Sequence, residues 1–127
     1  MKVYTSYFNK VKNGVPNNCI IIPVSNTIPS WFQPSVVFSR FKLSPHWDLI
    51  NLYKNGSITY EEFSDKYTMS LMLRINKEEL LSYFEELCRL HKKDTIILVC
   101  HEKDSSTCHR AALYKWLLNA DHTDEYQ

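Results

Sequence analysis

The segment Thr95-Ile96-Ile97-Leu98-Val99 constrains this chain more than any other. Five β-branched or apolar residues in succession leave no polar face, the mark of a strand buried on both sides in a mostly parallel sheet. Cys100 and seven polar residues, His101 to Thr107, come next. Ala111, Ala112, Leu113, Trp116, Leu117 and Ala120 then recur at helical spacing, with Ser106 or Thr107 placed to cap the helix start. The pattern is strand, polar loop, helix. In an open α/β sheet such a loop leaves the carboxyl end of a strand, where ligands usually bind. The first free N–H groups of the helix turn toward that loop and favour an anion. Arg110, in the first helical turn, adds a forked pair of donors suited to phosphate.

The rest of the chain supplies a sheet and its cover. Lys2 to Phe8 is β-rich and predicts a first strand, and Cys19 to Ile22 predicts a second that ends or bulges at Pro23. Between them, Asn9 to Asn18 carries Gly14, Pro16 and several asparagines and is a loop, or a short turn of helix followed by a loop. Ser25 to Pro34 holds two prolines and the adjacent Trp31 and Phe32. It is a long connection whose aromatics pack back on the core, or else a flap facing a ligand; the first reading is preferred, because exposed aromatics need a reason. A short strand is expected over Ser35 to Phe41.

From Pro45 the pattern turns helical. Pro45 suits a first helical position, Trp47, Ile50, Leu52 and Tyr53 share a stripe, and Gly56 is a stop. Thr59 with Glu62 makes a capping-box pair ahead of Phe63, Tyr67 and Leu71. Asn76 with Glu79 repeats the device ahead of Leu80, Leu81, Phe84, Leu87, Cys88 and His91. Such a helical passage between two buried strands suits a parallel crossover. The fold expected is α/β: residues 1–127 as a single domain, a small mostly parallel sheet flanked by helices, with residues 121–127 a frayed polar tail.

Charge and composition narrow the function. Fifteen Lys and Arg against fourteen Asp and Glu give a net charge of +1, so there is no global footprint for nucleic acid, although a local patch is compatible with it. No apolar run approaches the ~20 residues of a membrane helix and no signal-peptide pattern opens the chain, so no membrane partner and a cytoplasmic location are expected. The four cysteines are expected as reduced thiols, Cys19 and Cys88 lying inside apolar patterns. With Gly14 and Gly56 the only glycines, there is no phosphate-binding glycine loop and no dinucleotide fingerprint. HExxH motifs and serine nucleophile elbows are also absent, and no cofactor is expected.

Each residue of the loop carries a chemical reading and a plainer one. Arg110 opposes the helix macrodipole, so a carboxylate (Glu102 or Asp104) or an anionic ligand must compensate it. His109 and His101 flank the loop. A histidine near a helix start favours its neutral form and suits a general base, but more often bonds a loop carbonyl. Cys108, beside basic residues at a helix start, fits an activated thiol, while two small buried thiols are the commoner arrangement. The arginine-after-cysteine cradle of cysteine phosphatases does not match, because Ser106 stands six residues after Cys100 and Arg110 ten. Cys100, His101, Cys108 and His109 also offer metal donors, but without the two-residue gaps of paired zinc ligands, and no metal is expected.

The second half carries a recognisable series. Leu43-Ser44-Pro45 is followed by Leu49, Tyr53-Lys54-Asn55-Gly56, then Glu61-Glu62-Phe63 with Tyr67. It closes on Val99-Cys100-His101-Glu102 and Cys108-His109-Arg110 entering a helix. With the opening Lys2-Val3-Tyr4-Thr5-Ser6, this resembles the domain-of-unknown-function 488 family, DUF488, over nearly the whole chain. The resemblance implies a small α/β domain with functional weight on Cys100, Glu102, Cys108, His109 and Arg110. Many relatives carry Asp-Val-Arg at the end of the second strand, where this chain has Pro23-Val24-Ser25.

These readings converge on a site for a small anionic, phosphate-bearing or nucleotide-like ligand where the Cys100 strand meets the Arg110 helix. Glu102, His109 and Cys108 are the catalytic candidates, for hydrolysis or group transfer. Arg110, Cys100, His101, Ser106 and Thr107 are the candidate ligand contacts. The alternative is a non-catalytic protein- or nucleic-acid-binding module, with Trp31, Phe32, Arg40 and Lys42 as an aromatic and basic surface.

Overall fold

In the computed structural model, residues 1–122 are described. Of the tail expected over residues 121–127, positions 123–127 lie outside them; His122 is held, its Nε2 2.6 Å from Thr5 Oγ1.

Three parallel strands form one sheet in the order β1-β3-β2, with β1 over Lys2–Tyr7, β2 over Cys19–Pro23 and β3 over Thr95–Cys100. The apolar run is the central strand, and each of its six residues is buried. Its register sets Lys2 against Thr95 and Tyr7 against Cys100 on one side, and Cys19 against Thr95 and Pro23 against Val99 on the other. Pro23 is tolerated because β2 is an edge. Val24 N–H bonds Val99 O at 2.9 Å, so even-numbered residues of β2 turn their backbone toward β3 and the nitrogen of Pro23 faces outward.

Four helices complete the fold: α1 (Trp47–Lys54), α2 (Tyr60–Arg74), α3 (Lys77–His91) and α4 (His109–Leu118). Both reciprocal bonds of the Thr59–Glu62 capping box are formed, at 3.1 Å each. Asn76 caps α3 by accepting from Glu79 N–H at 3.0 Å. Gly56, at φ +83°, turns the chain after α1, and Lys92, at φ 55°, ends α3. α1 starts at Trp47 with His46 as its cap, later than the Pro45 start expected.

The two sheet faces are covered differently. Ile20, Ile22, Ile96 and Leu98 meet Tyr67, Leu71, Leu80, Phe84, Leu113 and Leu117 from α2, α3 and α4. On the other face Ile21, Ile97 and Val99 meet Phe8, Val11 and Cys19, with Val15, Ile28, Phe32 and Val36 from connecting chain. Burying each such aliphatic side chain contributes roughly 1.5–3 kcal/mol, so both faces stabilise the sheet. The helices lie on one side only.

Two local expectations are corrected. Ser35 to Phe41 forms no strand; it bonds the sheet backbone through Val37 N–H to Ile21 O at 2.9 Å, without extending a ladder. Prolines at 29 and 34 and the anchoring of Phe41 on the helical face carry this segment away from the sheet edge before a ladder can extend. The connection before it also divides: Phe32 packs edge-on to Phe8 at 5.0 Å, whereas Trp31 is half exposed.

Candidate functional site

Beyond Cys100 the chain leaves the sheet and is recaptured by Asp104. The Asp104 carboxylate accepts from Ser106 N–H at 2.9 Å and from Ser106 Oγ at 2.7 Å, and Thr107 Oγ1 donates to Asp104 O at 2.9 Å. These bonds fold Ser105–Thr107 into a 3-10 turn and hold the Asp104 carboxyl below its ordinary range. Ser106 and Thr107 therefore do not cap α4, as expected from sequence. Asp104 uses them one turn earlier, and Cys108 stands at the N-cap without a side-chain capping hydrogen bond.

Arg110 is wholly buried. From the first turn of α4 its guanidinium reaches under the loop. One nitrogen donates to Glu102 O and to Cys100 Sγ, the latter at 3.0 Å, and the other donates to Lys103 O at 3.0 Å. The ring of Tyr7 lies 5.8 Å from its central carbon. The link expected between Arg110 and Glu102 is thus made through a backbone carbonyl.

His109 is also buried, its ring edge-on to Tyr67 at 5.3 Å. Its Nε2 lies 2.6 Å from Val24 O. A carbonyl only accepts, so Nε2 carries the hydrogen and Nδ1 presents a lone pair. Burial pushes the imidazole pKa down to about 4, against which the Val24 bond acts only partly, so the ring is neutral at physiological pH. Nδ1 faces Cys108 Sγ at 3.8 Å. The carbonyl bond expected of His109 is thus made by Nε2, while Nδ1 keeps its lone pair toward Cys108. The departure noted at Pro23-Val24-Ser25 lies here, with Val24 O setting the His109 tautomer and Ser25 lining the cleft beside it.

The expectation of four free thiols is corrected. Cys100 and Cys108 are joined as a disulfide across a separation of eight residues, while Cys19 and Cys88 are free and buried. The loop's return by way of the 3-10 turn brings the end of β3 against the start of α4, which spacing alone did not reveal. Burial raises the Cys19 and Cys88 thiols above their ordinary range.

A cleft of about 140 Å³ opens at the carboxyl ends of the strands. Trp47, Tyr53 and Phe63, from α1 and α2, line one part; Cys100, His101, Glu102, Thr107, Cys108 and His109 line another, with Lys54 also present. Tyr53 stacks on Phe63 at 4.8 Å, and Tyr60 Oη donates to Cys108 O at 2.8 Å, tying the aromatic cluster to the loop. His101 Nε2 reaches Thr27 O at 2.9 Å and clips the loop to the connection after β2. Arg110 and Ser106, expected as ligand contacts, do not line the cleft. The aromatic lining and Lys54 were missed in the sequence. Their signal was the spacing of Tyr53, Tyr60 and Phe63, which reads equally well as a helix core stripe.

The aromatic and basic surface proposed for a binding module is not assembled. Phe32 packs on one face of the sheet and Phe41 on the other, while Arg40 lies over the Phe41 and Tyr83 rings at 4.9 Å from each. Among the described residues no group of three or more His, Cys, Asp or Glu side chains converges to hold a metal ion. No helix among them is long and apolar enough to cross a membrane.

No curated protein and no solved structure matches the chain. A family model does, that of DUF488-N3a, described as the active DUF488-N3 subclade, over residues 15–121. That span takes in β2, all four helices, β3 and the whole cleft, leaving out β1. The chain belongs to the DUF488 family, in its N3 branch.

Proposed function

We propose that the cleft binds a small nucleotide-type molecule and acts on it by hydrolysis or group transfer. The observation that carries the reading is an aromatic lining and the Cys108 sulfur facing the His109 imidazole in one ring-sized cleft. A cavity of about 150 Å³ takes a benzene-sized ring, so a volume of this order suits one base or sugar ring, with the remainder of the ligand in the open mouth. Trp47, Tyr53 and Phe63 supply the stacking surface, and Lys54 a charge for an anionic group. In the reduced protein Cys108 is the nucleophile and His109 Nδ1 takes its proton, with Glu102 serving the leaving group. Arg110 is assigned a positioning role: its bonds to Glu102 O and Lys103 O fix the loop that carries Glu102.

The test is thermal unfolding under reductant with nucleotides, nucleosides, ribose phosphate and inorganic phosphate. A ligand at 100 times its Kd stabilises the fold by about 2.7 kcal/mol. Tyr53→Ala is expected to weaken nucleotide binding by about 1–3 kcal/mol, the usual worth of one base–aromatic stack. Stabilisation by inorganic phosphate equal to that by nucleotides, or none by any of them, overturns the proposal.

A further inference from the structure

Cys100 is a cleft residue that the proposed group transfer does not use, and its surroundings are more than a core packing site. It ends β3, lines the cleft, and has the Arg110 guanidinium 3.0 Å from its sulfur. A fixed cation at that distance favours a thiolate over a thiol. Cys108, its disulfide partner, has the unprotonated Nδ1 of His109 at 3.8 Å. One sulfur thus has a cation and the other a base, an asymmetry that two inert buried thiols do not need.

We propose that Cys100 and Cys108 form a redox-active dithiol that reduces small hydroperoxides, with Cys100 as the attacking sulfur and Cys108 as the resolving one. The Cys100 thiolate attacks the terminal peroxide oxygen; an S–O bond forms, the O–O bond breaks, and the alkoxide leaves with a solvent proton as the alcohol. Cys108 then attacks the sulfenic sulfur of Cys100. His109 Nδ1 takes the Cys108 proton, the S–O bond breaks, and hydroxide leaves with that proton as water. The dithiol loses two electrons, the peroxide gains them, and an external thiol reductant returns the disulfide to the dithiol. The ring-sized cleft limits the oxidant to a small molecule. The inference does not rest on the nucleotide reading, since ligand binding and thiol cycling are measured separately.

The experiment uses the full chain, reduced, freed of reductant under argon and exposed to hydrogen peroxide, with each cysteine followed by alkylation and mass spectrometry. Cys19 and Cys88 serve as internal controls: they are buried as Cys100 and Cys108 are, and burial holds them as thiols without the Arg110 guanidinium that lies against Cys100. Cys100 is expected to react at least about tenfold faster than either, because the Arg110 guanidinium lies 3.0 Å from its sulfur and the cleft opens beside it. Two thiols are expected to disappear per peroxide consumed, with a Cys100–Cys108 bridge as product. Cys108→Ser is expected to stop at a Cys100 sulfenic acid that dimedone traps, and Cys100→Ser to leave Cys108 slower toward peroxide than Cys100 is in wild type and without an intramolecular bridge. A sulfenic acid that forms first on Cys108, a bridge to Cys19 or Cys88, or a Cys100 rate equal to the controls overturns the proposal. If a serine variant melts early, the comparison of Cys100 with Cys19 and Cys88 within folded wild type still decides.

Discussion

Replacing Arg110 isolates what holds the loop. The side chain is wholly buried and donates to the carbonyls of Glu102 and Lys103. A hydrogen bond from a charged donor is worth roughly 1.5–3 kcal/mol, and both carbonyls lie in an exposed stretch where water replaces part of the loss. Taking the lower figure for each and about 1 kcal/mol for lost packing, Arg110→Ala is expected to cost about 4 kcal/mol. For a chain of this size that lowers Tm by about 10–15 °C. Arg110→Met separates the two contributions, since it keeps much of the volume and none of the donors; it is expected to recover only the packing share. The assay is urea and thermal unfolding followed by circular dichroism at neutral pH. An Arg110→Met variant within about 1 kcal/mol of wild type refutes the reasoning, because the carbonyl bonds would then carry no net stability.

Two further outcomes follow from the same geometry. His109 has a folded pKa near 4 against an ordinary value of 6.5, so between those limits the unfolded chain binds a proton that the folded one refuses. Its contribution is complete above pH 6.5 and is lost as pH falls toward 4, up to about 3 kcal/mol by linkage; urea melts across that range check it, and His109→Gln should remove this share of the slope. Thr59→Ala removes one arm of the α2 capping box and should cost about 1 kcal/mol in the same unfolding assay, whereas Thr59→Ser should cost a few tenths.

The elements that were legible in the sequence are those set by local rules. The run Thr95–Val99 could only be a buried strand, and Thr59 with Glu62 could only open a helix, because neither depends on distant residues. What the sequence hid was set by tertiary contact. Ser106 and Thr107 look like helix caps until Asp104 engages them, and Arg110 looks like an anion clamp until the loop lies over it. The pairing of Cys100 with Cys108 required knowing that the loop doubles back. Tyr53 and Phe63 satisfy the helical stripe rule, which cannot tell a cleft wall from a core.

The order of strands also governs when the protein can fold during synthesis. Among the described residues β1 pairs only with β3, Lys2 facing Thr95, and β2 pairs with the same central strand. The ribosome must therefore release the chain through Cys100 before either early strand finds its neighbour. Until then the edges of Val3–Tyr7 and Cys19–Ile22 are left without their partner strand and open to whatever binds nascent chains. The helices between them depend on local contacts and form earlier, so the last strand to emerge closes the sheet and, in the same step, creates the cleft.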